Sequence, residues 1–160
     1  MHDQVQSAVA CILDSDDILL PEANSILKNE FRSKSCSMVT TQFILCDVNL
    51  DQKRQGYAQA SSALDDRYEH LRAWRTSCLP KSAFPSHSQD AEDRDLFYKM
   101  EEIGPLIFVS TPLVLWRQHA NSLTKDVRRF RSIKSAHCEV RLRCLIRRGI
   151  LKVACMILKD

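Results

Sequence analysis

Apolar and polar residues alternate in blocks along the chain, and the first apolar block, together with the acids that follow it, predicts a strand and a ligand site. The apolar run Val9–Leu13 breaks into three carboxylates within four positions, Asp14, Asp16 and Asp17. A continuous apolar run of this length predicts a fully buried strand of an α/β sheet. Ligands bind outside the carboxyl ends of strands in such sheets, so the pattern predicts a ligand site at these three carboxylates.

The segments that follow alternate between helical and extended patterns. Pro21 suits the first turn of a helix, and apolar residues then recur at helical spacing as far as Phe31. Later, Leu96, Met100 and Ile103 repeat at helical spacing, and Gly104 provides a stop. The predicted elements are a helix at 23–31, one strand or a short strand pair within 38–48, an amphipathic helix at 64–79, a loop at 80–89, a helix at 90–104, and two short strands at 106–109 and 113–116.

The C-terminal part differs from the rest in charge. Residues 1–124 carry 12 Lys and Arg against 17 Asp and Glu, whereas residues 125–160 carry 11 against 3. We therefore expect a domain at 1–124 and a basic amphipathic helical tail at 125–160, broken near Gly149. Packing of the tail helices on the domain is the favoured interpretation, ahead of contact with a membrane surface or nucleic acid.

Composition sets broad limits on the class of protein. With 160 residues, 44% hydrophobic and 27% charged, the chain has the composition of an ordinary globular domain. Its seven cysteines form no C-x-x-C pair, which favours reduced thiols over a disulfide or zinc framework. No basic leader or apolar segment of membrane-spanning length is evident, so we expect a cytoplasmic location.

Three polar clusters are candidates for chemistry. The first is the acidic break after Leu13. Its three like charges repel unless a hard cation such as Mg²⁺ or Mn²⁺ neutralises them, with phosphate oxygens completing the coordination shell. An acidic turn that caps the next helix is the simpler alternative. The second cluster is the acidic helix start around Glu92 and Asp93, where four acids in six positions exceed what helix capping needs. The third, at the end of a predicted strand, contains Arg117, His119 and Ser122.

The order and chemistry of these clusters resemble family 2 glycosyltransferases of the GT-A fold. The matching segments are Ile12–Pro21 for the D-x-D element, Ala91–Leu96 for the E-D element, and Leu113–Ser122 for the closing L-x-x-[YW]-R-x-H-x-x-S element. The resemblance covers about residues 8–124. It implies an α/β fold, and sugar transfer with inversion from a nucleotide-sugar donor to an acceptor hydroxyl on a glycan, lipid or protein.

The resemblance also implies a role for each matching residue. Asp14 and Asp16 would hold the divalent metal, Mg²⁺ or Mn²⁺, against the donor diphosphate, with His119 as a further metal contact. Asp17, Arg117 and Ser122 would bind the donor. Asp93 would be the general base, and crowding by Glu92 and Asp95 should raise its proton affinity.

One departure from the family concerns the donor pocket. A GT-A domain has a further βαβ half before the D-x-D element, whereas only residues 1–13 precede it here. We therefore expect a partial GT-A domain that lacks its first βαβ half, and a first strand with open edges and an exposed apolar face. The chain would be a truncated glycosyltransferase, a fragment of a longer one, or a subunit that a partner chain completes.

Other functional classes stay open. An inactive glycosyltransferase remnant could act as an interaction protein through its basic tail. A haloacid-dehalogenase-like phosphotransferase also begins with a strand followed by D-x-D, its first Asp being the nucleophile and its second the acid. That class leaves the clusters at residues 92–95 and 117–122 unexplained. A calcium loop of the EF-hand type is excluded, because the glycine and terminal Glu that it needs after Asp14 are absent.

Overall fold

The structure is a computed structural model that describes residues 9–56, 71–81, 83, 90–120 and 127–150. It is a mixed α/β protein. The elements are strands β1 (Val9–Ile12), β2 (Ile18–Leu19), β3 (Met38–Cys46), β4 (Gln52–Gln55), β5 (Arg72–Arg75) and β6 (Leu106–Arg117), and helices α1 (Ala23–Ser33), α2 (Glu92–Ile103) and α3 (Phe130–Arg147), with short 3-10 turns at Thr76–Cys78 and Val127–Arg129.

The chain divides into two compact units. The first comprises Met1–Leu79 and Met100–Ser122, and the second comprises Pro80–Lys99 and Leu123–Asp160. All six described strands and α1 belong to the first unit. Most of α2 and all of α3 belong to the second.

The sheet of the first unit has the strand order β1-β5-β3-β6-β2, and β4 pairs with the second half of β3. The β3–β6 pair is parallel, and the other pairs are antiparallel. Because β5 is antiparallel to both of its neighbours, β1 runs in the same direction as β3 and β6. The acidic residues that follow β1 therefore leave the sheet at the edge where β3 and β6 end, as predicted.

The first strand is less buried than its apolar sequence predicts. Strand β1 lies at one end of the strand order, its Cys11 is exposed, and Leu13 just beyond it is 42% exposed. The prediction of a fully buried strand is therefore wrong, whereas the expected exposed apolar surface is present. Strands β1 and β2 lie at opposite ends of the order although only residues 13–17 join them, and the sheet is accordingly curled.

The two central strands differ in how well they match the prediction. Strand β3 forms the single strand that was one of the predicted alternatives, with nine residues, whereas β6 is one strand of twelve and is longer than predicted. Two short strands were predicted for β6 because Pro112 interrupts its apolar pattern. The structure places a bulge there, since Thr41 is opposite Val109 and the next residue of β3 is opposite Pro112. Bulges accommodate a proline because the ladder is already interrupted.

The helix predicted at 64–79 is wrong over its described part. Residues 72–75 form β5, which pairs with β1 on one side and with β3 on the other. Leu71 and Ala73, 1% and 0% exposed, belong to the core. Hydrogen bonding to two neighbouring strands outweighs the weak helical pattern, because intrinsic propensity amounts to only a few tenths of a kcal/mol per residue. Residues 64–70 lie outside the described part of the chain.

Helix α1 is confirmed and covers the sheet. Its residues Ala23, Leu27 and Phe31, spaced at i, i+4 and i+8, are buried in the same core cluster as Val39, Phe43 and Val114. The predicted helix at 90–104 is confirmed as α2, followed by Gly104. The hydroxyl of Ser37 donates to the carbonyl oxygen of Met100 (2.9 Å) in the last turn of α2.

Helix α3 confirms the helical prediction for the described part of the basic tail, and Gly149, with φ of +71°, follows its end. Residues 125–126 and 151–160 of the predicted tail lie outside the described residues. The amphipathic pattern predicted for the tail is not found in α3, because its apolar residues do not share one side of the helix. Val140 and Cys144 are buried, whereas Leu142 and Ile146, 49% and 55% exposed, lie on the opposite side of the helix. Within the described ranges, no helix combines the length and the apolar character needed to cross a membrane.

Candidate functional site

Pairing of β2 with β6 brings the acidic residues to the end of β6. Ile18 lies opposite Leu115 and Leu19 opposite Val114, and Leu20 N–H donates to the carbonyl of Leu113 (2.9 Å). In an antiparallel pair, residues that precede one strand lie beside residues that follow the other. The register therefore places Asp16 and Asp17 beside the C-terminal end of β6, where the predicted Arg117 and His119 lie.

Asp17 is the buried member of this cluster, with 8% of its surface exposed. Its Oδ1 accepts the backbone N–H of Arg117 at 2.9 Å. Burial raises the pKa of Asp17 to about 6, although the hydrogen bond from Arg117 opposes the shift. The second oxygen, Oδ2, is buried without a hydrogen-bond partner among the described residues, and so is Nε of Arg117. Asp17 therefore uses one carboxylate oxygen to bind a backbone N–H, while its other oxygen is buried without a hydrogen bond from the described residues.

Asp16 and His119 form the accessible pair. Nε2 of His119 donates to Oδ2 of Asp16 at 2.8 Å, and the two side chains are 28% (His119) and 40% (Asp16) exposed. This hydrogen bond is the main cause that holds the pKa of Asp16 below its usual value, with smaller contributions from nearby positive charge. Asp16 therefore stays ionised at neutral pH, which suits a metal or cation ligand.

Asp14 completes the acidic turn. Its carbonyl oxygen accepts the N–H of Asp17 (3.1 Å), which closes a tight turn over residues 14–17. The side chain is exposed, and its charge contributes to the raised pKa of Asp17. The turn directs Asp14 and Asp16 towards solvent and Asp17 into the fold, so the three acids have different environments.

Strand β3 ends beside the same cluster. The carbonyl of Cys46 accepts the N–H of Gln118 (2.9 Å), so the parallel strands stay paired up to their ends. The next residue, Asp47, was not predicted as part of the site. Its Oδ1 accepts the N–H groups of Asn49 and Asp51, and a hydrogen bond from Lys53 lowers its pKa. The D-x-N-x-D pattern at 47–51 is the sequence signal for this turn, so Asp47 shapes a loop.

The cluster can be tested for fit to a divalent metal. In the part of the chain that the structure describes, no group of three or more His, Cys, Asp or Glu side chains is arranged to hold a metal ion. Mg²⁺ and similar ions are, however, commonly held by one or two carboxylates while substrate phosphates and water supply the rest. Neighbouring ligands of an octahedral ion lie about 3 Å apart, since each lies about 2.1 Å from the ion. Nε2 of His119 and Oδ2 of Asp16 lie 2.8 Å apart, which is close to the separation of two such ligands.

The second unit holds the predicted residues Glu92 and Asp93, at the start of α2. Glu92 is exposed and Asp93 is half-buried, and Oδ1 of Asp93 accepts the N–H of Arg94. Two other acids at this helix start, Asp95 and Asp90, form ion pairs that stabilise the fold. Asp95, 2% exposed, forms ion pairs with Lys99 (2.6 Å) and Arg147 (3.8 Å).

Asp90 is the other acid of this helix start with a structural role. It accepts hydrogen bonds from Ser132 and Arg129, which hold its pKa below the usual value. The contacts of Asp90 and Asp95 explain why the start of α2 has more acidic residues than helix capping needs. Glu92 and Asp93 form the E-D element and take no part in the ion pairs of Asp90 and Asp95 described above. The expectation that Asp95 crowds Asp93 is weakened, because residues two apart on a helix do not face each other.

The structure therefore brings Asp14, Asp16, Asp17, Arg117 and His119 together at one edge of one sheet. Glu92 and Asp93 belong to the other compact unit, and Ser122 lies outside the described residues. Comparison of the chain with protein-family models and with curated proteins found no match to either.

Proposed function

We propose that this chain is a partial GT-A glycosyltransferase of the family 2 type, which binds the diphosphate of a nucleotide-sugar donor through a divalent metal. One observation carries the proposal. The acidic turn and the closing R-x-H element, which are 100 residues apart, meet through the Asp17–Arg117 and Asp16–His119 hydrogen bonds. Both elements were selected from the sequence for the same ligand, and their proximity supports that choice.

The residues of the first unit would have different roles in binding the metal and the donor diphosphate. Asp16 and His119 would hold the metal, with Asp14 contributing charge beside them. The mixed carboxylate and imidazole pair favours Mn²⁺ over Mg²⁺, which takes oxygen ligands. A bound metal would supply Lewis-acid stabilisation of the departing diphosphate. Arg117 adds a fixed positive charge at the same strand end, and Asp17 positions Arg117 through its backbone.

The proposed reaction is a single displacement. The acceptor hydroxyl oxygen forms a bond to the anomeric carbon as the bond from that carbon to the diphosphate oxygen breaks. The diphosphate leaves with the electron pair, and a general base takes the hydroxyl proton; the resemblance assigns that role to the carboxylate of Asp93, which follows Glu92 in the sequence. Attack opposite the leaving group inverts the anomeric configuration.

The phosphotransferase alternative fits the contacts less well. It would need Asp14 as nucleophile and Asp16 as general acid. The hydrogen bond from His119 lowers the pKa of Asp16, and an acid with a lowered pKa is a poor proton donor near neutral pH. That alternative also gives no role to Arg117 and His119.

Calorimetric titration of UDP, GDP and their sugar conjugates into the full chain, with and without Mn²⁺, tests the proposal. We expect binding that depends on Mn²⁺ and is lost in Asp16→Ala. Asp51→Ala is the matched control, because it removes one exposed carboxylate from the loop after β3. Absence of binding to a folded chain, or equal binding by both variants, would refute the proposed site.

A further inference from the structure

The solvent-facing side of α3 carries large apolar residues that the fold does not cover. Phe130, Leu142 and Ile146 are 55%, 49% and 55% exposed, and Ile150, just beyond the helix, is 45% exposed. Val140 and Cys144 mark the buried side of the same helix. Leu142 and Ile146 are four residues apart and so lie side by side on the helix, and contiguous exposed apolar side chains can mark an interaction surface.

The same side of α3 is strongly cationic. Residues 127–150 include eight Lys and Arg and a single acid, Glu139, which pairs with Arg143. Arg131, Lys134 and Arg141 are exposed. Arg131 and Arg141 have no ion-pair partner among the residues that the structure describes, and the ammonium group of Lys134 lies 4.4 Å from the centre of the Phe130 ring. The uncovered surface therefore has excess positive charge.

The cations and apolar residues are interspersed on one arc. At 100° per residue, the six residues occupy about 160° of the helix circumference, and the centre of this arc lies about 140° from the midpoint of Val140 and Cys144. They are Phe130, Arg131, Lys134, Arg141, Leu142 and Ile146. Leu142 follows Arg131 by three turns on nearly the same line, so apolar and charged groups reach the same surface. Long cationic side chains can extend past buried apolar neighbours to reach anionic groups.

We propose that this face of α3 binds the surface of a bilayer that contains anionic lipids. Phosphate and carboxylate headgroups would neutralise the cations, while Leu142, Ile146 and Phe130 would enter the boundary between headgroups and acyl chains. A membrane surface combines negatively charged headgroups, which complement the cations of this face, with an apolar interior, which complements its apolar side chains. A nucleic-acid backbone or an acidic polymer would match the cations alone. The proposal does not depend on the proposed sugar transfer.

Co-sedimentation of the full chain with phosphatidylcholine vesicles, with or without phosphatidylserine, tests this inference. We expect binding only to the vesicles with phosphatidylserine, and weaker binding as salt is raised. The double variant R131Q/R141Q should bind about 25-fold less tightly, since each cation contributes roughly fivefold near an anionic surface. The variant L142S/I146S should bind about tenfold or more less tightly, because two buried apolar side chains are lost.

Matched controls are available on exposed positions of the first unit. K28Q/R32Q removes two cations from α1, and V48S removes an apolar side chain that is 56% exposed. Neither should change binding. All the substituted side chains are exposed, so folding should persist, and circular dichroism checks this directly.

Three outcomes would overturn the inference. The first is no sedimentation of the folded chain with phosphatidylserine vesicles at low salt. The second is a loss of binding in the α1 controls equal to that in the α3 variants. The third is equally tight binding to soluble polyglutamate with L142S/I146S unchanged, which would assign the face to a soluble acidic partner. A failure of nucleotide binding would leave all of these results unaffected.

Discussion

Oδ1 of Asp17 accepts the backbone N–H of Arg117 at 2.9 Å and so joins two parts of the chain that are 100 residues apart. The bond fixes the end of β6 relative to the acidic turn. His119, two residues beyond Arg117, can then reach Asp16. Asp17 was predicted as a donor-binding residue, whereas its contacts are those of a positioning residue. A buried carboxylate whose second oxygen has no partner among the described residues costs stability, and this cost can be measured.

We predict that Asp17→Asn stabilises the protein above pH 6. The amide keeps the oxygen that accepts the Arg117 N–H but carries no charge. The pKa of Asp17 is about 6 in the fold, against an ordinary value of 3.8, so the folded state binds the proton more tightly than the unfolded state. Ionisation of Asp17 therefore lowers the stability of the wild type as pH rises from about 4 to 6, by at most about 3 kcal/mol, and the variant lacks this contribution.

Urea denaturation of both proteins at several pH values between 4 and 7 measures this difference. The stability difference should be small near pH 4, grow as pH rises and level off above pH 6. Asp51→Asn, which neutralises an exposed carboxylate, should show no such trend. A stability difference that is flat across this range would contradict the raised pKa. Asp17→Ala, which removes the acceptor as well, should be less stable than Asp17→Asn at every pH.

A second prediction concerns His119 as the partner of Asp16. Substitution of His119 by Ala removes the hydrogen bond that is the main cause of the lowered pKa of Asp16, so that pKa should rise towards 3.8. Carboxyl chemical shifts followed by NMR during an acid titration give the value directly. Asp47 serves as an internal control, because its pKa is lowered by Lys53 and should not change.

The same variant tests metal binding. Loss of the imidazole should weaken Mn²⁺-dependent binding of a nucleoside diphosphate about tenfold or more, as changes around metal ligands commonly do. If His119→Ala moves the pKa of Asp16 but leaves nucleotide binding unchanged, the pair is structural and His119 is not a ligand.

The sequence predicts the helices better than the strands, for a physical reason. Helices α1 and α2 have local signals: a period of 3.6 residues, and for α2 a glycine stop after Ile103. Strand β5 has no local signal, because its hydrogen bonds go to β1 and β3, which lie far away in sequence. The length of β6 was missed for a similar reason, since only the parallel pairing with β3 keeps the segment around Pro112 in one strand.

The candidate site was partly predictable. The resemblance to family 2 glycosyltransferases selected Asp16 and His119, which the structure places within hydrogen-bonding distance; the type and position of His119 alone did not select it. The resemblance gave Asp14 and Asp17 different roles, but their difference in burial follows only from the β2–β6 register. Asp90 and Asp95 were grouped with Glu92 and Asp93, although their partners on or near α3 show a structural use.

A third prediction separates binding from chemistry. If the proposed roles are correct, Asp93→Asn should abolish sugar transfer while Mn²⁺-dependent nucleotide binding stays within about twofold of wild type, because a general base acts in the chemical step. Asp16→Ala should weaken that binding. Calorimetry measures the binding of each variant, and release of free nucleoside diphosphate in the presence of candidate acceptors measures the reaction. Equal loss of binding in the two variants would defeat this division of roles.

The last prediction concerns the packing under the strand end that carries Arg117. Gly56 donates its N–H to the carbonyl of Phe43 (2.8 Å), and a Cβ added at Gly56 would lie 2.2–2.4 Å from three ring atoms of Phe43. Phe43 is 2% exposed, and its ring meets Trp116 edge-on with centroids 5.1 Å apart, so it has little room to move. Gly56→Ala should therefore cost about 1–3 kcal/mol through overpacking.

Gly104→Ala is the matched control, because its added Cβ would make an ordinary 3.5 Å contact with Ser37. Urea denaturation should show a lower midpoint for Gly56→Ala alone, and Phe43→Leu in the same chain should remove part of the added cost, since the two substitutions share one contact. Equal midpoints for the two glycine variants would show that the Phe43 ring can shift, and that Trp116 and the site beyond it are less tightly held than these contacts indicate.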